Sequence, residues 1–194
     1  GKMFASHTVN IKGCNDLLCL TNPEIIKDIH RMYLNAGADI IETNTFNAQR
    51  ISMKDYRLED ICRDINLAAC RIAREIADEY TSKTPDKPRF VAGSIGPTSK
   101  TCSISSDTTQ PGWETFSFDN LKKAYLEQAE ALLEGGVDAF IIETIFDTLN
   151  AKAAIDSVRT AIRKSGKNVP IMLSFTVTGS EGYNMLGHSI GKFI

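Results

Sequence analysis

Short apolar runs alternate with amphipathic stretches along the chain. Ile25, Ile26, Ile29, Met32, Tyr33 and Ala36 recur at helical spacing and predict a first helix. Asn22 is placed to cap it and Pro23 to occupy its first position, where a missing N–H costs nothing. Gly37 stops it, and a strand follows over 38–43. A second helix is predicted over 58–80, with Ile61, Ile65, Ala68, Ala69, Ile72 and Ile76 on its inner face. Pro85 and Pro88 break the chain before a strand at 89–93 and a turn at 94–98. A polar loop over 99–117 holds the single tryptophan, Trp113, as a lid or as a surface anchor. A third helix runs from Phe118 to the Gly135-Gly136 pair, and a strand covers 139–143. Asp147 caps a fourth helix that ends near Gly166, and a last strand covers 170–176.

The order αβαβαβαβ, with strands that read as continuous apolar runs, predicts a parallel sheet with crossover helices. Gly37-Ala38-Asp39 before Ile40-Ile41-Glu42-Thr43 is echoed by Gly136-Val137-Asp138 before Ile141-Ile142-Glu143-Thr144. Copies of one helix–Gly–strand unit suit a (β/α)8 barrel of the TIM type. A doubly wound sheet is the alternative, but no Gly-rich phosphate fingerprint follows any strand. A closed barrel takes about 250 residues. With 194 residues and four recognisable strands, the expectation is one domain over 1–194, a partial barrel of about four of the eight units.

Composition narrows the function classes. A formal net charge of −2 with no basic run argues against nucleic acid and anionic membranes as partners. No apolar stretch nears the roughly 18–20 residues that span a bilayer. Gly1-Lys2-Met3 leads into polar residues rather than a signal peptide, so a cytoplasmic setting is expected. The five cysteines, Cys14, Cys19, Cys62, Cys70 and Cys102, are odd in number and fit neither a zinc ribbon nor a redox pair. Cys62 and Cys70 lie in a helical pattern and read as buried free thiols.

In a parallel α/β architecture, polar residues at the C-terminal ends of strands face the site. Glu143 ends an apolar run and suits an ammonium group, or else an ion pair with a neighbouring base. Glu42 repeats that position, as a ligand contact or a structural ion pair, beside Asn44 and Thr45. Ser94, Gly96 and Thr98 border a turn whose free amides could receive a carboxylate, or which only links strand to loop. Ser174 and Thr176 end the last strand. Of the histidines, His30 reads as a surface or boundary residue of the first helix, and His7 and His188 fall in loops near the chain ends. No serine elbow, phosphate loop or zincin helix is present.

The stretches 36–46, 89–98 and 132–148 resemble the homocysteine S-methyltransferase family, and the latter two are closer still to the homocysteine-binding module of cobalamin-dependent methionine synthases. Lys12-Gly13-Cys14-Asn15-Asp16-Leu17-Leu18 is similar to that module as well, and the likeness runs from about residue 8 to about residue 178. The resemblance implies methyl transfer to the sulfur of homocysteine, giving methionine. The methyl group comes from methylcobalamin recharged by 5-methyltetrahydrofolate on another module, and zinc held by three cysteines lowers the thiol pKa. It implies that Glu143 holds the substrate amino group, and that Asn44, Thr45, Ser94, Gly96 and Thr98 line the pocket. The family's Asp-Gly-Ala-Met-Gly-Thr strand has no counterpart here, and none of the five cysteines matches its Gly-Leu-Asn-Cys and Gly-Gly-Cys-Cys-Gly zinc segments. The chain is therefore expected to be a fragment that carries neither zinc nor cobalamin and is inactive alone. Its expected partners are homocysteine, the cobalamin and methylfolate modules, and further copies of the half barrel. A stand-alone homocysteine methyltransferase with another donor, and a non-catalytic binding domain, are the alternatives.

Overall fold

The computed structural model describes residues 6–100 and 117–177, with positions 182, 183, 187, 189 and 191 besides. The loop tryptophan Trp113, Cys102 and His188 lie outside the described residues. Four strands, β1 (Ile40–Glu42), β2 (Phe90–Ile95), β3 (Ala139–Ile145) and β4 (Ile171–Phe175), form one sheet in the order β1-β2-β3-β4. Every neighbouring pair is parallel, as the alternating pattern predicts. The helices are α1 (Leu18–Thr21), α2 (Pro23–Asn35), α3 (Arg50–Lys54), α4 (Cys62–Lys83), α5 (Phe118–Glu134) and α6 (Thr148–Ser165).

Alternation along each strand sends one set of side chains under the helices. Ile41, Val91, Ile95, Phe140 and Ile142 join Ile76, Leu121, Tyr125, Leu132 and Val158 in the main core. Alanines at 73, 77, 129, 153 and 154 let the helices approach closely. The opposite face carries Ile40 and Glu42, then Phe90, Ala92 and Ser94, then Ile141 and Glu143, which the register sets side by side. Two smaller clusters tie down residues 11–20, one around Leu17, Met53 and Ile65, the other around Cys19, Ile26 and Ile72.

Local signals explain most element ends. The Asp147 carboxylate accepts from the Leu149 and Asn150 N–H groups at the start of α6, and Gly166 closes that helix with φ +67°. Ser117 and Asn120 form a reciprocal capping box on α5. Asn22 does stand at the N-cap of α2, but its side chain makes no capping bond. The second predicted helix starts later than expected, at Cys62, after a 3-10 turn over Glu59–Ile61. The short α3, capped by the Gln49 side chain, had no periodic signal to announce it.

The first helix turns a different face inward than its apolar spacing suggests. Ile26, His30 and Leu34 are buried, while Ile25, Ile29, Met32 and Tyr33 are 42–69% exposed. The cause is position. β1 is an edge strand, so α2 packs on α1, α4 and β1 and has no further strand-and-helix unit among the described residues beyond it. Leu173 and Val177, at or just past the opposite edge strand, are exposed for the same reason. No helix among the described residues is long and apolar enough to cross a membrane.

Phe140 is fully buried at the centre of the sheet–helix core. Phe140→Ala is expected to lower unfolding free energy by about 3–5 kcal/mol in urea titrations, because the cavity cannot collapse between three helices and a sheet.

Candidate functional site

A cavity of about 460 Å³ runs along the free edge of β1. Ile26, Ile29, His30 and Tyr33 of α2 form one wall, β1 and residues 43–46 the floor, and Ser94 and Glu143 the far side. Two small residues on β2, Ala92 and Ser94, separate the acid of β1 from the acid of β3. Glu42 and Glu143 thereby line the same cavity from either side of the middle strand. Partial burial, and then the charge and hydrogen bond of Glu143, push the Glu42 carboxyl above the usual carboxylate value.

Glu143 is aimed by local backbone distortion. The β3–β4 register shifts between Ile142 and Ile145, and Thr144 sits at φ +55°, a region that β-branched residues rarely enter. The Ser94 hydroxyl then donates to Glu143 Oε1 at 2.5 Å. Ser94 is itself held by a small network. Its N–H donates to Thr43 Oγ1 at 3.0 Å, Thr45 Oγ1 donates to its carbonyl at 2.7 Å, and the two threonine hydroxyls are 2.6 Å apart.

The structure gathers Glu143, Ser94, Asn44 and Thr45 around one cavity, but their surroundings differ. Thr45 is fully buried, and its hydroxyl is spent on the strand network. The Asn44 side-chain amide donates to the Asn15 carbonyl at 2.9 Å and to Cys19 Sγ at 3.5 Å, which ties the N-terminal segment to the strand end. Gly96 and Thr98 do not line this cavity.

In the turn at 94–98 the Gly96 amide is taken within the fold, as the strand-to-loop reading has it. The Gly96 N–H donates to the Phe46 carbonyl at 3.0 Å, and the Gly96 carbonyl accepts from Tyr125. A Cβ at Gly96 would lie 2.6 Å from the Phe46 oxygen, so glycine is needed for close approach. Pro97 has no N–H, and Thr98 Oγ1 accepts from Asn150 at 2.7 Å.

His30 is the residue that sequence reasoning missed. It is 6% exposed, and its Nε2 has no hydrogen-bond partner. Burial pushes its pKa down to about 4, so the ring is neutral at pH 7. The signal was present in the spacing Ile26, His30, Leu34, one side chain per turn on the buried face.

These features belong to a recognisable lineage. Residues 1–194 match the model of the homocysteine S-methyltransferase family. The chain belongs to that family. Three structures of the Escherichia coli homocysteine methyltransferase MmuM share its fold. The metallated form superposes with a TM-score of 0.75 at 20% identity over 99% of this chain, and the oxidised form with 0.73 at 20% over 98%. The apo form gives 0.67 at 22% over 93%. The chain spans 65%, 64% and 60% of the length of those three. Within the family fold, the four parallel strands and their helices are a partial (β/α) barrel.

The described cysteines do not fit the three-thiolate zinc site that family membership implies. Cys14, Cys19, Cys62 and Cys70 are each buried. Desolvation raises the Cys14 thiol to about 11 and the other three to about 12, so all stay protonated at neutral pH. Among the described residues no group of three His, Cys, Asp or Glu side chains is placed to hold a metal ion.

Because the folded-state pKa of Glu42 lies above its unfolded value, its contribution to stability is present at acid pH and lost as pH rises through the folded pKa. Glu42→Gln is therefore expected to raise the thermal midpoint above wild type at neutral pH, with the difference closing at about pH 4. Differential scanning calorimetry across that range checks the sign.

Proposed function

We propose that this chain is the homocysteine-binding part of a methionine synthase, in which the thiol of homocysteine takes a methyl group from methylcobalamin recharged by 5-methyltetrahydrofolate. The observation that carries the substrate reading is Glu143. Its carboxylate is oriented by Ser94 at the C-terminal end of β3 and opens into a cavity with an apolar wall. A fixed carboxylate beside apolar surface suits the ammonium end and the methylene chain of a small amino acid. The stretch from Asn15 into the first helix favours the multi-module enzyme. Likeness to MmuM favours a second reading, a homocysteine methyltransferase with another methyl donor.

In either reading these residues bind and orient substrate. Zinc, where three cysteines hold it, would supply a thiolate at neutral pH. No step is assigned to it through the described side chains. Catalytic residues are accordingly expected outside this chain, and the 194 residues alone are expected to bind without turning over.

Calorimetric titration of L-homocysteine, with zinc content measured on the same sample, tests the reading. Glu143→Gln is expected to weaken binding by about 1–3 kcal/mol by removing the charged acceptor. An unchanged affinity would remove Glu143 from the site. Stoichiometric zinc would overturn the assignment of the metal ligands to other parts of the enzyme.

The open edges carry a consequence of their own. Ile40 at one edge, and Leu173 and Val177 at the other, lie exposed beside unpaired strands. The isolated chain is expected to self-associate at tens of micromolar, order of magnitude, through these edges. A single monomeric species in sedimentation velocity would contradict this.

A further inference from the structure

The cavity contains a charge conflict that the fold leaves open. Two carboxyl groups line it, and no lysine or arginine is among the described residues lining it. The described titratable groups that face it are His30 and Tyr33 from α2, Glu42 from β1 and Glu143 from β3, while β2 contributes the Ser94 hydroxyl. Ser94 donates to Glu143 Oε1, and partial burial and the charge of Glu143 raise the Glu42 carboxyl above its usual value.

His30 is an independent sign of a missing polar occupant. It lines the same cavity, its side chain is almost wholly buried, and its Nε2 is unpartnered. Buried ring nitrogens normally find a partner in the protein or in a bound molecule. Two acids without a cation and a neutral imidazole nitrogen without a partner share one space, and a small ligand that carries an ammonium group answers both.

We propose that Glu42 is a second substrate-positioning residue, which with Glu143 clasps the α-ammonium group of the amino-acid substrate. This rests on the homocysteine reading above. On binding, the ammonium N–H groups donate to both carboxylates, and a proton held on Glu42 passes to solvent. No covalent bond other than the Glu42 O–H changes. His30 Nε2 gains the ligand, or water held with it, as a neighbour. Because partial burial and the Glu143 charge raise the Glu42 carboxyl, affinity rises with pH as Glu42 loses its proton.

The test is calorimetric titration of L-homocysteine into the 194-residue chain, in two buffers of different ionisation enthalpy, at about pH 5.5 and about pH 8. Wild type is expected to release more protons per ligand at the lower pH than at the higher. Glu42→Gln is expected to bind about tenfold more weakly at about pH 8 and to release no proton at either pH. 4-Mercaptobutanoate, which keeps the thiol and carboxylate but lacks the amino group, should bind both proteins alike. Scanning calorimetry on the same samples establishes that the variant is folded. Should it not be, Glu42→Asp, which keeps the charge and withdraws it, is expected to weaken homocysteine and leave 4-mercaptobutanoate unaffected. Unchanged homocysteine affinity and proton release in Glu42→Gln would overturn the clasp and leave the Glu143 reading standing. Failure of wild type to bind L-homocysteine would overturn that reading, and the clasp with it.

Discussion

Packing of α4, α5 and α6 onto one face of the parallel sheet is the constraint on which the rest depends. Val91, Ile95, Phe140 and Ile142 can be buried under those helices only in one register. Because successive side chains alternate, the same register fixes what the other face displays. A slip of one residue would bury Ser94 and Glu143 under the helices and expose the core. The hydrophobic effect thus sets the address of the polar site, although Val91, Ile95, Phe140 and Ile142 do not line it.

Within that address, precision comes from hydroxyl groups rather than from ion pairs. The salt bridges of the described residues lie largely on the helix surfaces, where solvent weakens them. The Thr43, Thr45 and Ser94 hydroxyls instead cross-link β1 to β2 in a buried setting and deliver one hydrogen bond to Glu143. A buried network of this kind is worth having only when every member is satisfied. Thr43, Thr45 and Ser94 meet that condition, and His30 does not.

The sheet and its crossover helices were legible because long apolar periodicity is a strong signal. All four strands fall where the apolar runs lie, and Asp147 caps α6 as its position suggests. The site was legible by position alone. Glu143 and Ser94 could be placed at strand ends, but their contact depends on a bulge at Thr144 that no spacing rule announces. The turn at 94–98 offers amides in sequence, yet Phe46, distant in sequence, takes the Gly96 N–H, and the Tyr125 hydroxyl donates to the Gly96 carbonyl. The α2 error has the same root. Two apolar stripes exist on that helix, and periodicity cannot say which one a neighbour will cover. An edge position decided it, burying Ile26, His30 and Leu34.

That edge also explains why the fold tolerates an acid pair. Deep inside a closed core, two carboxyl groups in contact would be prohibitive, and one would remain protonated throughout the neutral range. Beside an open strand edge, water reaches Glu42 from one side while Ser94 fixes Glu143 from the other. On the proposed clasp, an incoming ammonium group would relieve whatever repulsion remains, and stability given up in the empty site would become selectivity for a positively charged ligand. The small residues Ala92 and Ser94 make this possible, because a larger side chain at either position would hold the two acids apart.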